Sequence, residues 1–139
     1  MVDPPHDLVT IDVTTGMVTL VGSTGQPGVQ ALAFSPDGTL FGWDIRRGLA
    51  TINTSTGLAT LVNPGFKPDV VDHNIQGMAF APDGTLLGAR ESLFTINVKT
   101  GIPTLIGSGG YSDIRGLAFI KGSQPAPSKK KPVKKRGPK

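Results

Sequence analysis

Residues 8–22 of this chain read LVTIDVTTGMVTLVG, and the same pattern returns at residues 49–63 (LATINTSTGLATLVN) and at residues 93–107 (LFTINVKTGIPTLIG). Each copy contains two short runs of β-favouring residues on either side of a Thr-Gly pair, which suits a tight turn. The pattern therefore predicts a β-hairpin that the chain builds three times.

A second unit alternates with the first. Residues 29–44 read VQALAFSPDGTLFGWD, residues 75–90 read IQGMAFAPDGTLLGAR, and residues 114–122 begin a third copy, IRGLAFIKG, that then stops. Its Pro-Asp-Gly stretch is a turn signal between two further strands. The two units together recur at roughly 40–45 residues, the spacing typical of four-stranded β-propeller blades.

We therefore predict an all-β fold with two full four-stranded propeller blades and parts of others. Counted from the inside of a blade outward, the first strands lie at 30–34, 76–80 and 115–120, the second at 40–43 and 86–89, the third at 8–12, 49–53 and 93–97, and the fourth at 18–21, 59–62 and 103–106. Pro103 suits a fourth strand, because an outer edge tolerates a missing hydrogen-bond donor.

The first strands have one bulky face and one small face. Leu32 and Phe34 alternate with Ala31 and Ala33, and the other two copies repeat this alternation. Side chains alternate with period two in a strand, so the large residues of one blade can pack on the small residues of the next. This asymmetry favours a radial array of sheets over a sandwich.

The run Ala-Phe-(Ser/Ala)-Pro-Asp-Gly-Thr-Leu, at residues 33–40 and 79–86, resembles the blade signature of WD-like and TolB-type bacterial propellers. The Thr-Ile-(Asp/Asn)-x-x-Thr-Gly-x-x-Thr-Leu run resembles blades of uncharacterised bacterial propeller proteins. The resemblance spans residues 8–120 and implies architecture rather than function. It departs from WD repeats, because no Gly-His or Trp-Asp pair ends each blade and Trp43-Asp44 occurs once, on a second strand.

Two full blades do not close a propeller, which needs about 4–8. We expect homo-oligomerisation to complete the ring, as a dimer or trimer, with a six-bladed ring in the dimer. The alternative is that the chain is a fragment of a longer propeller.

The positive charge is concentrated at the C-terminus. The chain has 14 basic and 10 acidic residues, for a net charge of +4. Seven basic residues and no acid lie in residues 123–139: Lys129, Lys130, Lys131, Lys134, Lys135, Arg136 and Lys139. The sequence therefore predicts a mildly acidic propeller domain at 1–122 and a disordered Lys/Pro-rich tail at 123–139, able to bind nucleic acid or another polyanion. A tail without a fixed partner is the alternative.

Little in the sequence points to catalysis. There is no cysteine, only two histidines, no Gly-x-Ser-x-Gly elbow and no phosphate-binding loop, so we expect neither an enzyme nor a cofactor or metal site. Asp12, Asn53, Asn97, Asp37 and Asp83 recur at equal repeat positions and are expected to shape turns. No signal peptide or membrane span is visible, which favours a cytoplasmic location, or a nuclear one if the protein is eukaryotic.

Contact residues are expected in loops. The longest connection, 64–74, carries Phe66, Asp69, Asp72 and His73, and long loops on a rigid scaffold commonly carry binding function. Further candidates are Arg46 and Arg47, in a hairpin expected to be solvent-exposed together with Asp44, and the sugar-stacking residues Trp43 and Tyr111. We thus expect a non-enzymatic interaction module that binds a protein or small ligand. The alternatives are a lectin-like oligomeric propeller and a fragment of a propeller enzyme.

Overall fold

The computed structural model describes residues 4–69 and 72–120, which form antiparallel β-sheets, none of them closed. The strands are β1 (Asp7–Ile11), β2 (Val18–Ser23), β3 (Val29–Phe34), β4 (Leu40–Asp44), β5 (Gly48–Ile52), β6 (Ala59–Leu61), β7 (Gly77–Phe80), β8 (Leu86–Ala89), β9 (Leu93–Ile96) and β10 (Pro103–Gly107). No helix in the described ranges is long and apolar enough to cross a membrane. The tail predicted at 123–139 lies outside these ranges.

Two of the sheets are four-stranded meanders in which each strand pairs with the next along the chain. The first sheet has the order β3-β4-β5-β6, the second sheet has the order β7-β8-β9-β10, and β1 and β2 form a separate N-terminal hairpin. These ten strands lie within two residues of their predicted positions. Pro103 begins β10, which forms a sheet edge as expected.

The eleventh predicted strand, 115–120, is wrong, because these residues belong to no sheet in the described part of the chain. A first strand needs a second strand beside it, and the sequence after residue 120, KGSQPAPS, offers Gly, Ser and Pro instead of a β-favouring run. The segment nevertheless lies against β7. A Cβ added to Gly77 would stand 3.0 Å from the Gly116 nitrogen.

The two sheets pack through their first strands, β3 and β7. Ala31 of β3 and Met78 of β7 are buried in one core cluster, with Ala33 and Phe80 packed against it. A large side chain of β7 and a small one of β3 therefore share one core, and the Phe80 ring lies 5.5 Å from the Phe41 ring of the first sheet. Burying a Met or Phe side chain contributes about 1.5–3 kcal/mol, so this contact is a substantial part of the core.

The repeated polar residues shape turns, as predicted. Asp12, Asn53 and Asn97 each accept hydrogen bonds through Oδ1 from the backbone N–H groups two and three residues later, at 2.8–3.2 Å. In the other turn type, Asp37 accepts from Thr39 N at 3.0 Å and Asp83 from Thr85 N at 2.9 Å. These bonds hold the pKa of Asp12, Asp37 and Asp83 below its ordinary value, the Ser35 hydroxyl being the largest contributor at Asp37.

The N-terminal hairpin meets the first sheet through a close approach of two backbones. Gly22 lies so near the Thr56 carbonyl that a Cβ on Gly22 would overlap its oxygen, and Gly57, at a φ of +82°, is equally tight on Gly22. Beside them Ala59 N donates to Thr24 O at 3.0 Å. At the next junction the position of Gly22 is taken by Asn63, whose Nδ2 donates to Thr100 O at 2.9 Å. Each junction thus joins the end of a fourth strand to the Thr-Gly turn of the following sheet.

Replacing Gly22 with alanine should destabilise the fold by about 1–3 kcal/mol, because the new methyl group has no room against the Thr56 backbone. Urea unfolding followed by the fluorescence of Trp43, the single tryptophan, measures this. Gly65→Ala is the matched control, since its methyl would meet only Asn63 Oδ1 at 3.4 Å, and it should be neutral or slightly stabilising. Equal unfolding midpoints for the two variants would contradict the proposed close approach.

Candidate binding surface

The long connections and the hairpins between second and third strands gather at one end of the sheets. In an antiparallel meander, the second-to-third turn and the exit of the fourth strand share an end. We call this end the loop face and define it by the described residues of 24–28, 45–47, 63–76, 90–92 and 108–114. The Thr-Gly and Pro-Asp-Gly turns close the other end of each sheet, and the Thr-Gly turns at Thr56 and Thr100 contact the fourth-strand exit of the preceding unit.

The connection 63–76 is anchored by aromatic rings. Trp43, in β4, donates its Nε1–H to the carbonyl oxygen of His73 at 3.1 Å. The Phe66 ring lies 6.5 Å from Trp43 and 6.1 Å from His73, and His73 lies 5.7 Å from Phe94, edge to face. Rings at these distances attract one another beyond their buried area. The loop is therefore seated on the core of both sheets.

Trp43 itself is fully buried, so no face of its indole is open for stacking on a sugar. The sequence placed it among contact residues because it could not show that the connection 63–76 folds over it. Tyr111 is partly buried in another connection, with its ring beside Gly109. Of the two predicted sugar-stacking residues, only Tyr111 thus remains available to a ligand.

Asp44 corrects a second expectation, because it is fully buried instead of solvent-exposed. Its carboxylate accepts from Gly28 N at 3.1 Å, Arg46 N at 2.8 Å and Arg47 N at 3.1 Å. A buried carboxylate needs such partners, and here they tie the connection 24–28 to the hairpin turn 45–47. Arg46 and Arg47 are exposed as predicted, and Arg47 Nη1 donates to Gln26 Oε1 at 2.9 Å.

A small polar cleft opens where the connection 63–76 meets the hairpin of the second sheet. It has a volume of about 80 Å³ and is lined by Asp72, Asn74, Arg90, Glu91, Ser92 and Phe94. Sequence reasoning singled out Asp72 but missed Asn74 and Ser92, since only the fold brings the two segments together. Asp69 lies apart from the cleft lining, and its N–H donates to His73 Nδ1 at 3.3 Å.

Two arginines flank one carboxylate on the third connection. Arg115 Nη2 lies 3.0 Å from Asp113 Oδ2, and Arg90 Nε lies 3.6 Å from Asp113 Oδ1. Hydrogen bonding by Arg115 is the main cause that holds the pKa of Asp113 below its ordinary value of 3.8, and Asp113 in turn raises the pKa of Arg115. Within the described ranges no group of three or more His, Cys, Asp or Glu residues could hold a metal ion.

No protein-family model matches this sequence, and none of the curated proteins compared with it matches significantly. The interpretation of the loop face therefore depends on its geometry. The basic residues singled out in the tail, from Lys129 to Lys139, lie outside the described ranges.

Replacing Arg115 with glutamine should move the pKa of Asp113 up toward 3.8, because the largest cause of its depression is removed. Carboxyl-carbon chemical shifts in an NMR pH titration measure this. Since the folded pKa lies below the unfolded one, the pair stabilises the connection above pH 3.8 and this stabilisation is lost as the pH falls through the lowered pKa. The control Lys99→Gln, at the opposite end, should leave Asp113 unchanged. An unaltered Asp113 midpoint in the Arg115 variant would refute the pairing.

Proposed function

We propose that this chain is a non-enzymatic interaction module of the β-propeller type. The loop face binds a protein or a small ligand, and the basic tail adds attachment to a polyanion such as nucleic acid. The propeller arrangement of the sheets belongs to this proposal, together with its completion by homo-oligomerisation. The repeat spacing, the two four-stranded meanders and the packing of β7 on the small face of β3 support that arrangement.

The observation that carries the proposal is the convergence of three connections on one end of the sheets. Each is fixed to the scaffold by a specific contact: Gly28 N to Asp44, His73 O to Trp43, and Ile114 N to Arg90 O at 2.9 Å. Loops held in this way present a defined surface at little entropic cost of ordering on binding.

The opposite end gives the contrast. Its repeated Asp and Asn side chains are engaged in the turns themselves, so their oxygens serve the backbone. On the loop face, by comparison, Asp72 and Glu91 are exposed beside the polar cleft. Charged groups placed at the rim of a cleft favour selectivity among partners. We therefore assign partner binding to the loop face.

The tail supports the second part of the proposal through its charge alone. Residues 1–122 retain seven basic and ten acidic residues, whereas the seven basic residues of 123–139 face no acid within that segment. Such a run neutralises phosphates and releases counterions, so its binding depends on salt and not on sequence. The segment contains no aromatic residue on which single-stranded bases could stack.

Binding through the loop face is tested by panning a phage-displayed random peptide library on the full chain. The Asp72→Lys variant should bind the selected peptides at least tenfold more weakly, because the substitution reverses a charge at the cleft. Ser55→Lys introduces the same side chain in an exposed turn at the opposite end and should leave affinity unchanged. A library that yields no binders, or peptides equally affected by both variants, would rule out the loop face.

Attachment through the tail is tested with a short fluorescent DNA duplex at several salt concentrations. Removing residues 123–139 should weaken binding strongly at low salt and flatten the plot of log affinity against log salt, since its slope scales with the phosphates neutralised. A chain of full length with its seven basic tail residues replaced by glutamine separates charge from length and should behave like the truncated one. Truncation that leaves affinity and slope intact would exclude this role.

A further inference from the structure

The N-terminal hairpin exposes positions that are buried in the later copies of the same repeat. Ile11 is 61% exposed, whereas its equivalents Ile52 and Ile96 are each 4% exposed. Val18 is 59% exposed, against 8% for the equivalent Ala59, whose N–H donates to the preceding hairpin at Thr24. The hairpin therefore lacks the cover that the second strands give to Ile52 and Ile96 at Gly42 and Gly88. At Val18 it presents the surface that the preceding hairpin covers at Ala59.

The last hairpin, β9–β10, carries the other half of such a junction, the strand end. Gly107 occupies the repeat position of Gly22 and Asn63, both of which contact the Thr-Gly turn of the following sheet. Among the described residues, a Cβ on Gly107 would meet no atom within 4 Å, and the same is true of Gly16 in the first Thr-Gly turn. Ile106, next to Gly107, is 55% exposed. The N-terminal hairpin therefore carries a Thr-Gly turn, at Gly16, that is not seated on a strand end. The last hairpin carries a strand end, at Gly107, on which no such turn is seated in the described part of the chain.

The inner strands repeat this relation. Leu32 and Phe34, on the bulky face of β3, are exposed and line an apolar cleft of about 370 Å³ beside β1. In the second sheet the equivalent bulky residues are covered, since Met78 shares a buried cluster with Ala31 of the preceding first strand and Phe80 packs against that cluster. Segment 114–120 offers such a small face in Gly116 and Ala118, both exposed. The segment has the length of a first strand and the same alternation of small and large residues, and a first strand is what is missing beside the cleft.

We infer that two copies of this chain join head to tail, with the turn 12–17 of one copy seated at Gly107 of the other. In the same junction, segment 114–120 fills the apolar cleft beside β1. This inference rests on the proposed propeller arrangement and names the surfaces that complete it. Both contacts repeat junctions that the chain already makes within itself, at Gly22 with Thr56 and at β3 with β7.

The number of copies follows from closure. Each chain supplies two full sheets, and its hairpin together with segment 114–120 of its neighbour makes one composite sheet. One copy gives about three blades, two give about six and three give about nine, whereas propellers close with about 4–8. Head-to-tail contacts must close on themselves to give a finite assembly, so two copies are the number that fits.

Light scattering coupled to size exclusion tests the inference on the full chain. Wild type should have twice the 14.5 kDa mass of one chain. Gly107→Val should be monomeric, because its side chain occupies the turn's place, whereas its Cβ meets no atom of the described residues within 4 Å. Ser108→Val, at the adjacent exposed position, is the matched control and should remain dimeric. Native Trp43 fluorescence confirms that each variant is folded.

A mixing experiment fixes the polarity. The Phe34→Glu variant blocks the apolar cleft beside β1 and should be monomeric on its own. If this variant does not fold, Val18→Asp is used in its place. Mixed with the Gly107 variant, either should give a 1:1 dimer, because one complete junction can still form. A folded wild type that is monomeric or forms larger species overturns the inference, as does a mixture that stays monomeric. Because DNA and peptide binding are measured separately, a monomer that still binds them would overturn the assembly and leave the two proposed binding roles standing.

Discussion

Met78 and Ala31 are buried in one core cluster, against which Phe80 and Ala33 pack, and the spacing of the two sheets depends on this packing. A first strand with large residues on both faces would push its neighbour outward, since cores are packed too densely to absorb extra volume. The small face of β3 therefore sets how closely the second sheet approaches. That distance in turn allows Asn63, at the outer end of the first sheet, to reach the carbonyl of Thr100.

Because the sheets pack in this way, the two ends of each sheet carry different kinds of connection. Short turns close one end, and their polar side chains are occupied with local backbone N–H groups. The longer connections cross between sheets at the other end, where each finds an anchor in the sheet it leaves or enters. Asp44 illustrates the mechanism, because a buried carboxylate that serves three backbone N–H groups fixes a hairpin and a connection together.

The strands and turns could be predicted because their signals are local. Alternation, the Thr-Gly pair and Pro-Asp-Gly are read within a few residues, and the bulky and small faces of β3 and β7 followed from the same alternation. Burial could not be predicted where it depends on distant segments. Trp43 and Asp44 are covered by the connections 63–76 and 24–28, which show no regular pattern. The cleft at Asn74 and Ser92 likewise exists only once the second hairpin meets the connection.

Gly22, Asn63 and Gly107 occupy the same position of the repeat, yet the three copies differ in what this position contacts. A glycine in a strand costs about 0.5–1 kcal/mol relative to alanine, because its backbone loses more conformational freedom on folding. At Gly22 this cost is offset by the close approach of the Thr56 backbone, and at Asn63 the side chain bonds the turn directly. Gly107 bears the same cost with no neighbouring atom near its Cβ position. In the head-to-tail pair that we infer, the turn of a second copy supplies at Gly107 the contact that the described part of its own chain lacks.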